Sequence, residues 1–172
     1  MNAEQLRELQ APLKAEYTAS SAAAIAELHA SGSIDLKNLA CLVASPGAIN
    51  EEVRSGLHRM AGGDGSAACS GDMLLQSLIA CSGVTFAVVA TAMELRISSA
   101  TINVTGTMDF RGTLGIDRTT PVGLTSIALT FTVESPEPDE KIDKLIQLTE
   151  RYCVVLQTLK QGVSVSSRRA TI

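Results

Sequence analysis

MLLQSLIACSGVTFAVVATAM, residues 73–93, runs for 21 positions without a charge, and the fold turns on how it is read. By length it qualifies as a membrane span. Its flanks carry no basic cluster and no aromatic belt, however, and its interior holds Gln76, Ser77, Ser82, Thr85 and Thr91. The reading adopted is a helix wrapped by protein, either in a soluble core or at a subunit interface, because a helix apolar on all sides must be covered if lipid does not cover it. Ser70 is placed as its cap, and Asp72 falls in its first turn against the positive end of the helix dipole. The segment Gly62-Gly63-Asp64-Gly65-Ser66 just upstream reads as a loop, since three glycines leave the backbone too free for a regular element.

Downstream lie the clearest strands. Ile102, Val104, Met108 and Phe110 alternate with Thr101, Asn103, Thr105, Thr107 and Asp109, with Gly106 interrupting the apolar set. Ile127, Leu129, Phe131 and Val133 repeat the pattern, and the two runs are expected to pair antiparallel across a connection from Gly115 to Gly123. Pro136-Glu137-Pro138-Asp139-Glu140 then opens a second helix, in which Ile142, Leu145, Ile146, Thr149, Tyr152, Cys153, Leu156 and Leu159 recur at helical spacing. Cys153 therefore points inward. Gly162 ends this helix, and residues 163–165 are expected to add a short strand. Upstream of the glycine loop, residues 22–30 fit helix or strand, residues 38–44 read as a strand, and residues 51–59 are ambiguous.

The order is that of an α+β protein. A chain of 172 residues, 45% hydrophobic and 19% charged, suffices for one buried core. A single domain, 1–172, is expected: N-terminal strands and helix over 1–60, the central helix over 70–94, then the hairpin, second helix and terminal strand over 97–172. A net charge of −4 with no Lys/Arg run argues against a nucleic-acid partner. Five Phe and Tyr residues and no Trp make base or sugar stacking platforms improbable. Residues 1–10 are polar and carry Glu4, Arg7 and Glu8 where a secretory signal would be apolar. The expectation is a cytoplasmic protein, not held in a membrane, with Cys41, Cys69, Cys81 and Cys153 reduced at rest.

His29, His58, Cys41 and Cys69 lack metal-ligand spacing, and no phosphate-cradling glycine motif is present, so neither a metal nor another cofactor is implied. What remains is thiol chemistry. In a reducing compartment two cysteines in unlike apolar settings point to redox work more often than to a structural staple. Cys41 reads as strand core, and Cys69 as filler or a surface thiol.

The run Ser70-Gly71-Asp72-Met73-Leu74-Leu75-Gln76-Ser77-Leu78-Ile79-Ala80-Cys81, the strands TINVTGTMDF and GLTSIALTFTV, and Glu150 to Leu159, ERYCVVLQTL, resemble the osmotically inducible protein C and organic hydroperoxide resistance (OsmC/Ohr) family over about residues 60–165. The resemblance implies antiparallel sheets around a long buried central helix in an intertwined homodimer. It also implies a thiol-dependent peroxidase, in which Cys81 takes the place of the peroxidatic cysteine and Cys153 that of the resolving one. A hydroperoxide would be the substrate, and an external dithiol, of lipoyl type or another small dithiol, the reductant. A catalytically silent relative that binds a small lipophilic ligand at the dimer interface is the alternative. Two departures stand out: Val154 follows Cys153 where the family usually has proline, and Asp72 stands where it usually has Glu.

The thiolate is the nucleophile, and burial among Leu78, Ile79, Val84 and Phe86 is expected to raise the Cys81 pKa, so that a cation is needed to offset it. Asp72 lies nine residues before Cys81, about 13 Å along a straight helix and on the opposite face, too far to act on the sulfur. Arg54 and Arg59 are the candidate activators, with Asp72 positioned to orient such an arginine or simply to serve as an N-terminal helix charge. An apolar lining favours an organic hydroperoxide over hydrogen peroxide.

Overall fold

Cys69 and Asp72 start the long helix between them. The Cys69 Sγ accepts the Asp72 N–H at 3.4 Å, and the Asp72 carboxylate accepts the Cys69 N–H at 3.3 Å. This reciprocal box satisfies two donors that the first helical turn leaves unpaired. The cap is thus Cys69 and not Ser70, which is already helical. In the computed structural model, which describes residues 1–44 and 52–170, the chain order is α1 (Ala3–Ala19), β1 (Gly32–Asp35), β2 (Ala40–Ala44), β3 (Glu52–Ser55), α2 (Ser70–Ala92), β4 (Ser99–Met108), α3 (Phe110–Thr113), β5 (Leu124–Glu134), α4 (Asp139–Tyr152) and α5 (Val154–Gln161). The α+β expectation holds. Glu51, the first residue of the ambiguous 51–59 segment, lies outside the described residues.

Strands β4 and β5 pair antiparallel, with Ile102 opposite Phe131 and Val104 opposite Leu129. The alternation puts these side chains on one face, against α2 and the α4–α5 pair. Gly106 has a packing reason: a Cβ there would come within 3.0 Å of Leu124 and 3.2 Å of Leu75, so its absence lets α2 lie close to the hairpin. Phe110 departs from the strand reading. Asp109 caps the one-turn helix α3 through the Arg111 N–H at 2.9 Å, and Phe110 stacks on His58, ring centroids 4.8 Å apart.

Two apolar clusters lie along α2. Phe86, Val89, Ala90 and Leu145 form the first, with Phe86 stacked on Phe131 at 5.9 Å. Leu78, Cys153 and Leu156 form the second, joined by Cys81, Val104, Ile127, Leu129 and Val155. Only one face of α2 is covered in this way. Val84 is 68% exposed, and Leu74, Ile79 and Val88 also reach solvent. The helix is long and apolar enough to cross a membrane by length and composition, but one side of it is built into the protein core.

The second helix expected over 142–159 is two helices. Cys153 is extended, with φ −71° and ψ 109°, and serves both sides of the break: its N–H donates to the Thr149 carbonyl, closing α4, and its Sγ accepts the Leu156 N–H at 3.5 Å, capping α5. The Gln157 side chain donates to the Glu150 carbonyl at 2.8 Å, satisfying a carbonyl that the break would orphan. Apolar spacing continues across the junction, which hides it from periodicity. Gly162, at φ +70°, ends α5 as expected, but residues 163–165 form no strand and are exposed.

Among the described residues the N-terminal part is a three-stranded antiparallel sheet in the order β1-β2-β3 and a preceding helix. Helix α1 arises from a box between Asn2 and Gln5, whose reciprocal bonds are 2.9 and 3.0 Å, within a stretch that reads only as polar. Residues 21–24 form a short 3-10 turn, and residues 25–30 neither of the two elements considered for them. The 38–44 strand begins at Ala40, because Asn38 is held in a turn by Asp35 through bonds of 2.7 and 3.1 Å. In the glycine loop a Cβ on Gly63 would collide with the Leu57 carbonyl, a close approach that only glycine permits.

The entry to α4 is tied to the hairpin by charge. Glu137, its side chain 9% exposed, accepts from Lys141 Nζ at 2.9 Å and Arg96 Nε at 3.2 Å. These bonds hold its carboxyl down at about 2. A carboxyl lowered on folding contributes stability above its unfolded pKa of roughly 4.3, and the contribution is lost as the pH falls toward the folded value. Glu137→Gln is expected to melt a few degrees below the parent at pH 7, and the gap should close in thermal melts approaching pH 2.

Candidate active site

Cys81 projects from the middle of α2, half-buried, toward the junction of α4 and α5, where Cys153 is fully buried. The two side chains pack in one cluster with Leu78 and Leu156. Ser82 adds a third polar group: its hydroxyl, also fully buried, lies 3.3 Å from the Cys153 Sγ. Thr85, one turn along α2, donates its hydroxyl to the Cys81 carbonyl at 2.8 Å.

Burial pushes the Cys81 thiol up, as the sequence suggested, but the backbone N–H of Val155, the Cys153 thiol, the backbone N–H of Val154 and the Thr85 side chain outweigh it. The net direction is down. The groups responsible are neutral, and no guanidinium is among the strongest of them. They belong chiefly to the first turn of α5, whose N–H groups have no intrahelical acceptor and carry the positive end of a helix dipole. The N-terminus of α2 is too far along its own axis to serve; that of α5 is delivered by the break at Cys153.

Val154 matters here as a backbone. It occupies the first position of α5, where proline is well tolerated, and Cys153 before it already has the extended conformation that a residue preceding proline requires. Val154→Pro therefore removes one N–H from the Cys81 sulfur with little cost to the helix. The pH at which Cys81 ionises, followed by the pH dependence of its alkylation, should rise in Val154→Pro and stay put in Val154→Ala, which keeps the N–H.

Arg54, Arg59 and Asp72 are not brought to Cys81 within this chain. Arg54 sits on β3, beside a cleft lined by Asn38, Asp64 and Ser66. Arg59 folds over Gly65 and shares a hollow with Cys69 and Asp72 at the start of α2. Asp72 is the N-terminal helix charge, its carboxylate engaged with the Cys69 N–H. The apolar surroundings also differ from expectation. Leu78 packs beside Cys81, whereas Ile79 and Phe86 line a groove of about 600 Å³ between α2 and β4, and Val84 is open to solvent. Ser82 and the N–H groups of Val154 and Val155 escape a reading of the sequence, since a backbone donor leaves no trace in residue type and a serine in an apolar run reads as helix filler.

Among the described residues no three His, Cys, Asp or Glu side chains gather closely enough to hold a metal ion. The site is one of two sulfurs, a hydroxyl and a helix terminus.

The model of the OsmC-like protein family matches residues 63–168, which span α2, the hairpin, and helices α4 and α5 with Cys153 between them. The chain belongs to the OsmC-like family. No curated protein matches the sequence. Among solved structures, the chain is similar to an OsmC-like protein from Mycoplasma pneumoniae, with a TM-score of 0.64 and 21% identity over 80% of this chain and 89% of that one. An organic hydroperoxide resistance protein from Legionella pneumophila aligns with a TM-score of 0.60 at 13% identity, covering 79% of this chain and 92% of the other. The organic hydroperoxide resistance protein OhrB of Bacillus subtilis gives 0.52 at 14% identity, over 80% and 94%. At such identities these likenesses speak for the fold, over about four fifths of this OsmC-like chain.

Proposed function

We propose that this OsmC-like chain is a thiol-dependent peroxidase that reduces organic hydroperoxides. The observation that carries this reading is the meeting of Cys81 and Cys153, one half-buried and shifted toward its thiolate, the other buried beside it. Family membership, and the hydroperoxide resistance named for two structural relatives, agree with it.

In the first step the Cys81 thiolate attacks a peroxide oxygen. An S–O bond forms, the O–O bond breaks, and the departing alkoxide takes a proton from solvent to leave as the alcohol. Cys81 is then a sulfenic acid. Cys153 attacks its sulfur, the S–S bond forms, and the hydroxyl leaves with the Cys153 proton as water. An external dithiol, of lipoyl type on the family resemblance, then reduces the disulfide by exchange and is itself oxidised.

The uncovered face of α2 supports a homodimer. Cys81, Val84 and Val88 fall at spacings of three and four residues, so the exposed apolar stripe runs beside the reactive sulfur. A second copy laid on that stripe shields apolar surface and walls the open side of Cys81, giving a hydrocarbon tail something to pack against. The same pairing makes α2 an interface helix of a soluble, cytoplasmic protein and not a membrane span.

The test is turnover: reduced protein, cumene hydroperoxide and dihydrolipoamide should together give steady loss of peroxide. A chain that binds the hydroperoxide without consuming it would instead be a silent lipophile-binding relative.

A further inference from the structure

Ser82 follows Cys81 in sequence, but its hydroxyl points to the other sulfur. It lies 3.3 Å from the Cys153 Sγ, and both side chains are fully buried. Cys153 Sγ also accepts the Leu156 N–H at 3.5 Å. Cys153 shares an apolar cluster with Leu78 and Leu156, against which Cys81, Val104, Ile127, Leu129 and Val155 pack.

Attack on the Cys81 sulfenic acid requires negative charge to develop on Cys153. Once its proton leaves, that sulfur is an acceptor only, and the Ser82 hydroxyl, free to rotate, is the side chain with a proton to direct at it. We propose that Ser82 is a positioning residue for the resolving step: its O–H donates to the forming Cys153 thiolate and, with the Leu156 N–H, holds that sulfur on the line of attack. The inference rests on the peroxidase reading and adds to it a division of labour between two donor sets. The N–H groups of Val154 and Val155 serve Cys81; Ser82 and the Leu156 N–H serve Cys153. In the overall step Cys81–SOH and Cys153–SH give the disulfide and water, so no further oxidant or reductant enters.

Ser82→Ala removes the hydroxyl, introduces no bulk and suits a helix. Reduced protein is mixed with one equivalent of cumene hydroperoxide, quenched over time and mapped by mass. The variant should form the Cys81 sulfenic acid at the parental rate, close the disulfide roughly tenfold more slowly, and, when a second equivalent of hydroperoxide is added before closure, accumulate sulfinic acid on Cys81. The pH midpoint of disulfide closure should move upward, a displacement that loosened packing alone does not produce. Closure at the parental rate with an unmoved midpoint overturns the proposal. Diamide separates the proposal from the function, since it oxidises Cys81 and lets Cys153 displace it with no peroxide present. Slower closure in Ser82→Ala under diamide upholds the role of Ser82 even if cumene hydroperoxide fails to oxidise the parent, an outcome that removes the peroxidase reading alone. Equal closure under diamide overturns the role.

Discussion

Cys81→Ser should reduce hydroperoxide consumption to the uncatalysed rate, because a serine hydroxyl in the same setting does not ionise near neutral pH and the attacking atom is lost. The first turn of α5 would still aim the N–H groups of Val154 and Val155 at position 81, but with no anion to stabilise. Cys153→Ser should behave differently. Cys81 is then oxidised once, without a partner to trap it, and further peroxide drives it to sulfinic acid. Burst consumption of one equivalent, with a mass gain confined to the Cys81 peptide, separates the two roles. Equal turnover in both variants would remove both cysteines from the mechanism.

Val84→Glu is the second change with a large expected effect. Val84 is 68% exposed on an otherwise apolar helix and shares its stripe with Val88 and Cys81. A carboxylate placed between two closely packed copies must be desolvated without a partner, at a cost of several kcal/mol, which weakens association by about a thousandfold or more. Sedimentation should show the parent at twice the chain mass and the variant at the chain mass, with secondary structure preserved because position 84 faces away from the core. Peroxide turnover should fall with it, since in the proposed dimer the second copy walls the open side of Cys81. A variant that sediments as the parent does would place the interface elsewhere.

How far the sequence carried depends on the kind of information each element needed. The strands at Ile102–Met108 and Ile127–Val133 announce themselves, because a sheet with one covered face writes its pleat directly into residue type. The long helix is equally plain from its uninterrupted apolar run, and the two sulfurs proposed to act follow from the resemblance carried by that run and by ERYCVVLQTL. The break at Cys153 leaves no such mark. No glycine or proline interrupts the spacing, and the thiol that ends one helix and caps the next does so by geometry alone. That break also starts α5 beside Cys81, whose thiol the N–H groups of Val155 and Val154 help to hold down. Burial of Cys81 calls for a cation in a reading by residue type, but the fold of the single chain keeps Arg54 at the N-terminal sheet and Arg59 at the glycine loop. Helix α1 was obscured for another reason: only Ala3 and Leu6 are buried along it, so it carries almost no apolar stripe to read.

The claim on which the account depends is that peroxide oxidation of Cys81 ends in a bond to Cys153. Peptide mapping of the fully reduced chain after one equivalent of cumene hydroperoxide tests it most directly. The account predicts the loss of two of the four thiols and a single cross-linked species joining the Cys81 and Cys153 peptides. Retention of all four thiols, or a link formed through Cys41 or Cys69 instead, would contradict it.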